Sequence, residues 1–89
     1  MPAYSIRVIG KVQGVFFRVS MQKKAQQLGV RGWVRNEADG SVLIHAEGSE
    51  ESLQSLIAWC HRGSIHADVQ QVDVKGAYKE GFADFQVRR

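Results

Sequence analysis

Gly10 to Arg18 reads GKVQGVFFR, a glycine-punctuated run ending in an arginine. It joins an alternating apolar segment (Tyr4, Ile6, Val8) to a segment with helical spacing (Phe17, Met21, Ala25, Leu28). A turn of this kind can hold an anion, because N–H groups at a helix N-terminus lack intrahelical partners and carry partial positive charge. Arg18 falls in the first turn of the expected helix, where the dipole disfavours a cation unless an anion lies beside it. Its planar guanidinium suits one arm of a bidentate oxyanion clamp. The run is not a nucleotide P-loop, since Val15 rather than a lysine follows Gly14, and it lacks the GxGxxG spacing. As a bare pattern, two glycines ahead of a helix also describe an ordinary tight turn.

Asn36, the only asparagine in the chain, is the second candidate. It stands at the end of an expected strand, just before Glu37-Ala38-Asp39-Gly40. Asparagine often ends strands through turn chemistry, but Asp39-Gly40 already supplies a strong hairpin turn. In a sheet, this strand end can approach the Gly10–Arg18 turn.

Other reactive constellations are missing from the sequence. There is no Ser-His-Asp arrangement and no paired-carboxylate motif, and His45, His61 and His66 share no metal-ligand spacing with Cys60. We read Cys60 as core, the histidines as surface and Trp59 as half-buried packing. Trp33, Arg35 and His45 could form an aromatic and basic sheet face that stacks single-stranded RNA, but the signature of RNA-recognition motifs is absent. An anion cradle, an arginine and an amide remain. Such a set cannot easily expel a poor leaving group. It can serve a mixed carboxylic–phosphoric anhydride, whose departing carboxylate is already stable at neutral pH, so that positioning and charge stabilisation suffice. The phosphate itself can take the water's proton.

The elements that must position these groups follow from periodicity. A first strand is expected over Tyr4–Val12, with Tyr4, Ile6, Val8 and Val12 on one face. The first helix buries Phe17, Met21, Ala25 and Leu28, and Gly29 stops it. Val30 to Glu37 and Ser41 to Glu47 form a hairpin around Asp39-Gly40. Ser49 caps a second helix, with Glu50 and Glu51 in its first turn and Leu53, Leu56, Ile57 and Cys60 on its buried stripe, ending at Gly63. A fourth strand is expected over Val69–Val74, with Val72 and Val74 inward. After a loose Gly76–Gly81 region, Phe82 to Arg88 alternates Ala83, Phe85 and Val87 against polar residues. The order β-α-β-β-α-β predicts an α+β, ferredoxin-like sandwich: an antiparallel sheet of four to five strands with two helices on one face. That plan hosts many unrelated activities.

Size and composition bound the rest. Eighty-nine residues, 44% hydrophobic and 24% charged, predict one soluble domain over residues 1–89. A single cysteine suits a reducing compartment, the N-terminus lacks a signal-peptide pattern, and no stretch is apolar enough to span a bilayer, so a cytoplasmic protein is expected. The net charge of +3 is unevenly spread: residues 1–35 hold seven basic residues and no acidic one, against five basic and nine acidic residues thereafter. This asymmetry fits an anionic partner, or solvated surface faces.

Together these residues resemble the acylphosphatase family. Gly10 to Arg18 matches the family's GxVQGVxFR motif at every fixed position. Gly32-Trp33-Val34-Arg35-Asn36, then Gly40, Val42 and Gly48, matches its second motif, and the likeness extends to Asp84-Phe85-Gln86-Val87. Many relatives carry a proline-containing segment where this chain reads Gly63-Ser64-Ile65-His66-Ala67. The resemblance implies a ferredoxin-like sandwich that hydrolyses acyl phosphates to carboxylate and inorganic phosphate, with no metal or cofactor. It implies that the amides of Gln13, Gly14, Val15, Phe16, Phe17 and Arg18, with the Arg18 guanidinium, bind the phosphoryl group, while Asn36 holds and orients the attacking water. A monomer with a small-molecule acyl phosphate partner, no nucleic acid and no membrane is expected. The alternative is an acylphosphatase-like module that binds acyl or carbamoyl phosphate without turnover, as in the N-terminal part of hydrogenase-maturation carbamoyltransferases. The absence of zinc-finger cysteines and of a partner domain counts against it. Nucleic-acid binding through the basic first half is a third reading, and it predicts steep salt dependence.

Overall fold

The computed structural model describes residues 2–89. The first alternating segment becomes β1 (Ala3–Lys11), with Ile6 and Val8 fully buried. Residues 12–16 turn the chain into α1 (Phe17–Leu28), which buries Phe17, Met21 and Ala25. The hairpin of β2 (Arg31–Asn36) and β3 (Val42–Glu47) follows, then α2 (Glu50–Arg62), β4 (Asp68–Gly76) and β5 (Phe85–Arg88). α2 begins as its sequence dictates, with the Ser49 hydroxyl accepting from the Ser52 amide at 3.1 Å and two glutamates in the first turn. Leu53, Leu56 and Cys60 of α2 pack with Phe17 and Met21 of α1 against Ile6, Val8, Val34, Ile44 and Phe85 of the sheet. Burial pushes the Cys60 thiol up to about 12, which keeps it unreactive. Among the described residues, no helix is long and apolar enough to cross a membrane.

The strand order is β4-β1-β3-β2-β5. The four strands of the ferredoxin-like plan pair antiparallel as expected, but β5 pairs parallel to β2, so the five-stranded sheet is mixed. The cause is the path of residues 77–84. From the end of β4 this segment crosses one end of the sheet, where the Ala77 amide donates to Ala3 O and the Gly32 amide to Asp84 O, both at 2.9 Å. It therefore enters β5 in the direction of β2.

Two expectations are corrected at the sheet's margins. Val74 lies opposite Ile6 yet remains 40% exposed, and Val72 is only half-buried, because β4 is an edge strand that the helices do not fully cover. Ala83 is exposed and outside the last strand. His61 and His66 are at the surface, but His45 is buried. The His45 ring stacks on Trp33 with centroids 6.1 Å apart, meets Phe82 edge-on at 5.4 Å, and pairs through Nε2 with Glu47 at 2.8 Å. Arg35 and Arg88 cover the Trp33 ring at 4.8 and 5.0 Å. The aromatic sheet face is thus closed by the chain's own residues.

Glu47, also buried, fixes the crossing segment. Its carboxylate accepts from the amides of Glu80, Gly81 (3.1 Å) and Phe82 (3.2 Å). Burial raises the carboxyl's pKa, but His45 and these three amides outweigh it and bring the group down from 4.5 to about 2.

Candidate active site

The opposite end of the sheet is built differently. β1 leaves the sheet through a bulge at Gly10, whose φ of 138° and close approach to β4 require glycine: a Cβ there would lie 2.2 Å from Asp68 O. The following loop adopts left-handed backbone at Gly14 (φ 72°) and at Phe16 (φ 60°). Phe16 is the residue that enters α1, and no side chain caps the helix there. Ser20 is the first amide to find a helical acceptor, at 3.1 Å from Phe16 O, and the amides of Gln13 to Arg18 donate to no protein acceptor among the described residues. No acidic residue stands in the first turn. A run of free amides at a positive helix end, with an arginine beside it, is an anion cradle.

Three contacts hold the cradle in shape. The Gln13 side-chain amide donates to Glu37 O at 2.7 Å and to Ser41 O at 2.9 Å, bolting the loop to the β2–β3 hairpin. The Ser64 hydroxyl donates to Val15 O at 2.6 Å from the segment that follows α2. Val15 itself turns inward and is buried in the core. The hairpin is stiffened in turn by Ser41, whose amide and hydroxyl both donate to Asp39 Oδ1 (2.9 and 2.6 Å) and hold that carboxyl below its usual range. Arg18 Nη1 donates to Arg88 O at 2.9 Å, so the guanidinium is anchored by β5 with its remaining donors available.

A pocket of about 260 Å³ opens over this cradle, lined by Val12, Gly14, Phe16, Phe17, Arg18, Val19 and Asn36. Asn36 reaches it from the end of β2, as the sheet topology anticipated. Its Oδ1 atom is buried and has no hydrogen-bond partner among the described residues. Buried carboxamide oxygens are normally paired, and leaving one unpaired costs roughly 1–3 kcal/mol. The residue that carries this unsatisfied acceptor lines the pocket. No group of three or more His, Cys, Asp or Glu side chains suited to a metal occurs among the described residues.

A profile of the acylphosphatase family matches residues 4–87, covering both the cradle and Asn36. The chain belongs to the acylphosphatase family. It is 50% identical over 82 residues to an acylphosphatase of Haloquadratum walsbyi, covering 92% of this chain and 88% of the relative. An acylphosphatase of Nocardioides sp. is 45% identical over 86 residues, covering 97% and 87% of the two chains. The crystal structure of the acylphosphatase from Bacillus subtilis superposes over the whole of both chains with a TM-score of 0.97 at 39% identity.

The acylphosphatase motifs thus converge in space. Of the residues singled out from the sequence, Gly14, Phe16, Phe17, Arg18 and Asn36 line one pocket. Gln13 and Val15 contribute no side chain to it: that of the first clamps the hairpin and that of the second packs in the core. The sequence reading missed Val12 and Val19 as lining residues. Val19 sits one residue after the arginine on the exposed side of α1, a position that helical spacing alone could have flagged.

Proposed function

We propose that this chain hydrolyses acyl phosphates, with Arg18 and Asn36 as its catalytic residues. The phosphoryl group lies in the cradle, its oxygens accepting from the amides of Gln13, Gly14, Val15, Phe16, Phe17 and Arg18 and from the Arg18 guanidinium. Water donates to Asn36 Oδ1 and is held facing phosphorus. Its oxygen forms the new P–O bond as the bond from phosphorus to the acyl oxygen breaks. The electron pair leaves on the carboxylate, and both water protons end on the phosphate, giving RCOO⁻ and H₂PO₄⁻ from RCO–OPO₃²⁻ and water. The stable leaving group requires no general acid, so the protein supplies positioning and charge stabilisation. Inorganic phosphate, as product, occupies the same cradle.

The observation that carries this reading is the unpaired, buried acceptor Oδ1 of Asn36, a residue that lines the pocket over the cradle. We also take the protein to act as a single cytoplasmic domain over residues 1–89, as a monomer and without a cofactor. The test is hydrolysis of benzoyl phosphate and acetyl phosphate with a chelator present and inorganic phosphate as competitor. Turnover unchanged by the chelator and inhibited competitively by phosphate is expected. Binding of phosphate without any hydrolysis would make the protein a binding module instead.

A further inference from the structure

Phe16 is costly where it stands. Its backbone is left-handed, a conformation that disfavours bulky residues, and the residue is 78% exposed. Neither the fold nor the anion cradle explains a phenyl group there, since glycine would satisfy the backbone and donate the same amide. The ring does, however, stand between two pockets. It lines the phosphate pocket, and it also lines a second one of about 240 Å³ whose other walls are Val15, Ser20, Ser64, Ile65 and His66. Ile65 is 95% exposed, an apolar side chain that none of the described residues covers. Its segment is nonetheless held against the cradle, through the Ser64 hydroxyl on Val15 O at 2.6 Å and the Ala67 amide on Ser64 O at 3.0 Å.

We propose that the pocket between Phe16 and Ile65 is an acyl-group subsite that selects aromatic or branched apolar acyl phosphates. The inference rests on the phosphoryl end binding the cradle as proposed above. An acyl phosphate joins its two ends through one oxygen, so a phosphoryl group in the first pocket brings the acyl group to its rim, and Phe16 is the wall that this pocket shares with the second. A cavity of about 150 Å³ accommodates benzene, so a phenyl ring fits within this one. No carboxylate lines it, which leaves nothing to recognise an aminoacyl cation, while Phe16 and Ile65 offer apolar contact on two sides. The strained backbone and the exposed ring are then compensated when substrate covers them.

Two non-hydrolysable analogues with CH₂ in place of the bridging oxygen, phenacylphosphonate and 2-oxopropylphosphonate, test this by calorimetry. The wild type should bind the phenacyl compound about tenfold tighter, as expected for burying a ring in an apolar pocket. Ile65→Ser should cut that preference several-fold, and Phe16→Gly should remove most of it. Phe16→Gly should also melt no lower than the wild type, whereas a purely structural ring would lower the melting temperature. Equal affinity for the two analogues, a preference that neither substitution moves, or failure of both to bind overturns the subsite. A preference for the phenacyl analogue without hydrolysis of benzoyl phosphate would sink the turnover reading and leave the subsite standing. Hydrolysis of acetyl and benzoyl phosphate with equal analogue affinities would do the reverse.

Discussion

Backbone amides are gathered at both ends of this sheet, and the two gatherings differ in what completes them. At one end the amides of Glu80, Gly81 and Phe82 converge on the Glu47 carboxylate, which His45 backs. At the other, the amides of Gln13 to Arg18 meet no protein acceptor among the described residues, and the neighbouring Asn36 Oδ1 has no donor. The chain fills the first cradle with its own anion, and among the described residues it supplies none to the second. Unpaired polar groups cost stability wherever they are buried. Their concentration at one end, beside an arginine, therefore marks function, whereas the satisfied set at the other end marks construction.

Breaking each cradle should have opposite consequences, and the largest effect belongs to the open one. Arg18→Gln removes a preorganised donor, so kcat/KM on an acyl phosphate should fall about 10²–10³-fold, or roughly 3–4 kcal/mol, with phosphate inhibition weakened as well. The melting temperature should change little, since among the described residues the Arg18 side chain makes a single hydrogen bond to the fold, that to Arg88 O. An Arg18→Gln protein that unfolds instead would erase the distinction between the two ends.

Glu47→Gln should do the converse, costing roughly 3 kcal/mol in stability measured by denaturant unfolding. Its pH dependence follows from the depressed carboxyl. The unfolded chain protonates this group near its ordinary 4.5 and the folded chain only near 2, so the contribution is complete above about 4.5 and lost as pH falls toward 2. The stability gap between wild type and Glu47→Gln should close over that window. A gap that persists at pH 2 would contradict the assignment. The smallest effect concerns filling the open cradle. Inorganic phosphate at a hundredfold its dissociation constant should stabilise the wild type by about 2.7 kcal/mol, and Arg18→Gln at the same concentration by clearly less. Equal thermal shifts in the two proteins would remove Arg18 from the clamp.

The closed cradle was also the less legible of the two. Periodicity exposes β1, both helices and the hairpin, because each buries one regular face. The glycine spacing, Arg18 and Asn36 mark the open cradle because residue types with no packing task stand at element ends. His45 and Glu47, by contrast, occupy alternate positions on the sheet face away from the helices, where polar residues normally meet water. They are buried because residues 80–82 fold over them, Phe82 also with its ring, and nothing local in the sequence encodes that distant contact. The parallel pairing of β5 is hidden for the same reason, being set by the path of residues 77–84. The left-handed backbone at Phe16 is equally invisible, since its residue type argues against it.

The most direct test of the central contrast is a kinetic comparison of wild type and Asn36→Ala, with turnover of benzoyl phosphate and the inhibition constant of inorganic phosphate measured on the same samples. The unpaired Oδ1 predicts that kcat falls by about 10² or more while the phosphate constant stays within a few-fold, because the role proposed for this side chain is to hold water and not the phosphoryl group. Wild-type turnover in Asn36→Ala, or a phosphate affinity that collapses in step with kcat, would contradict the account.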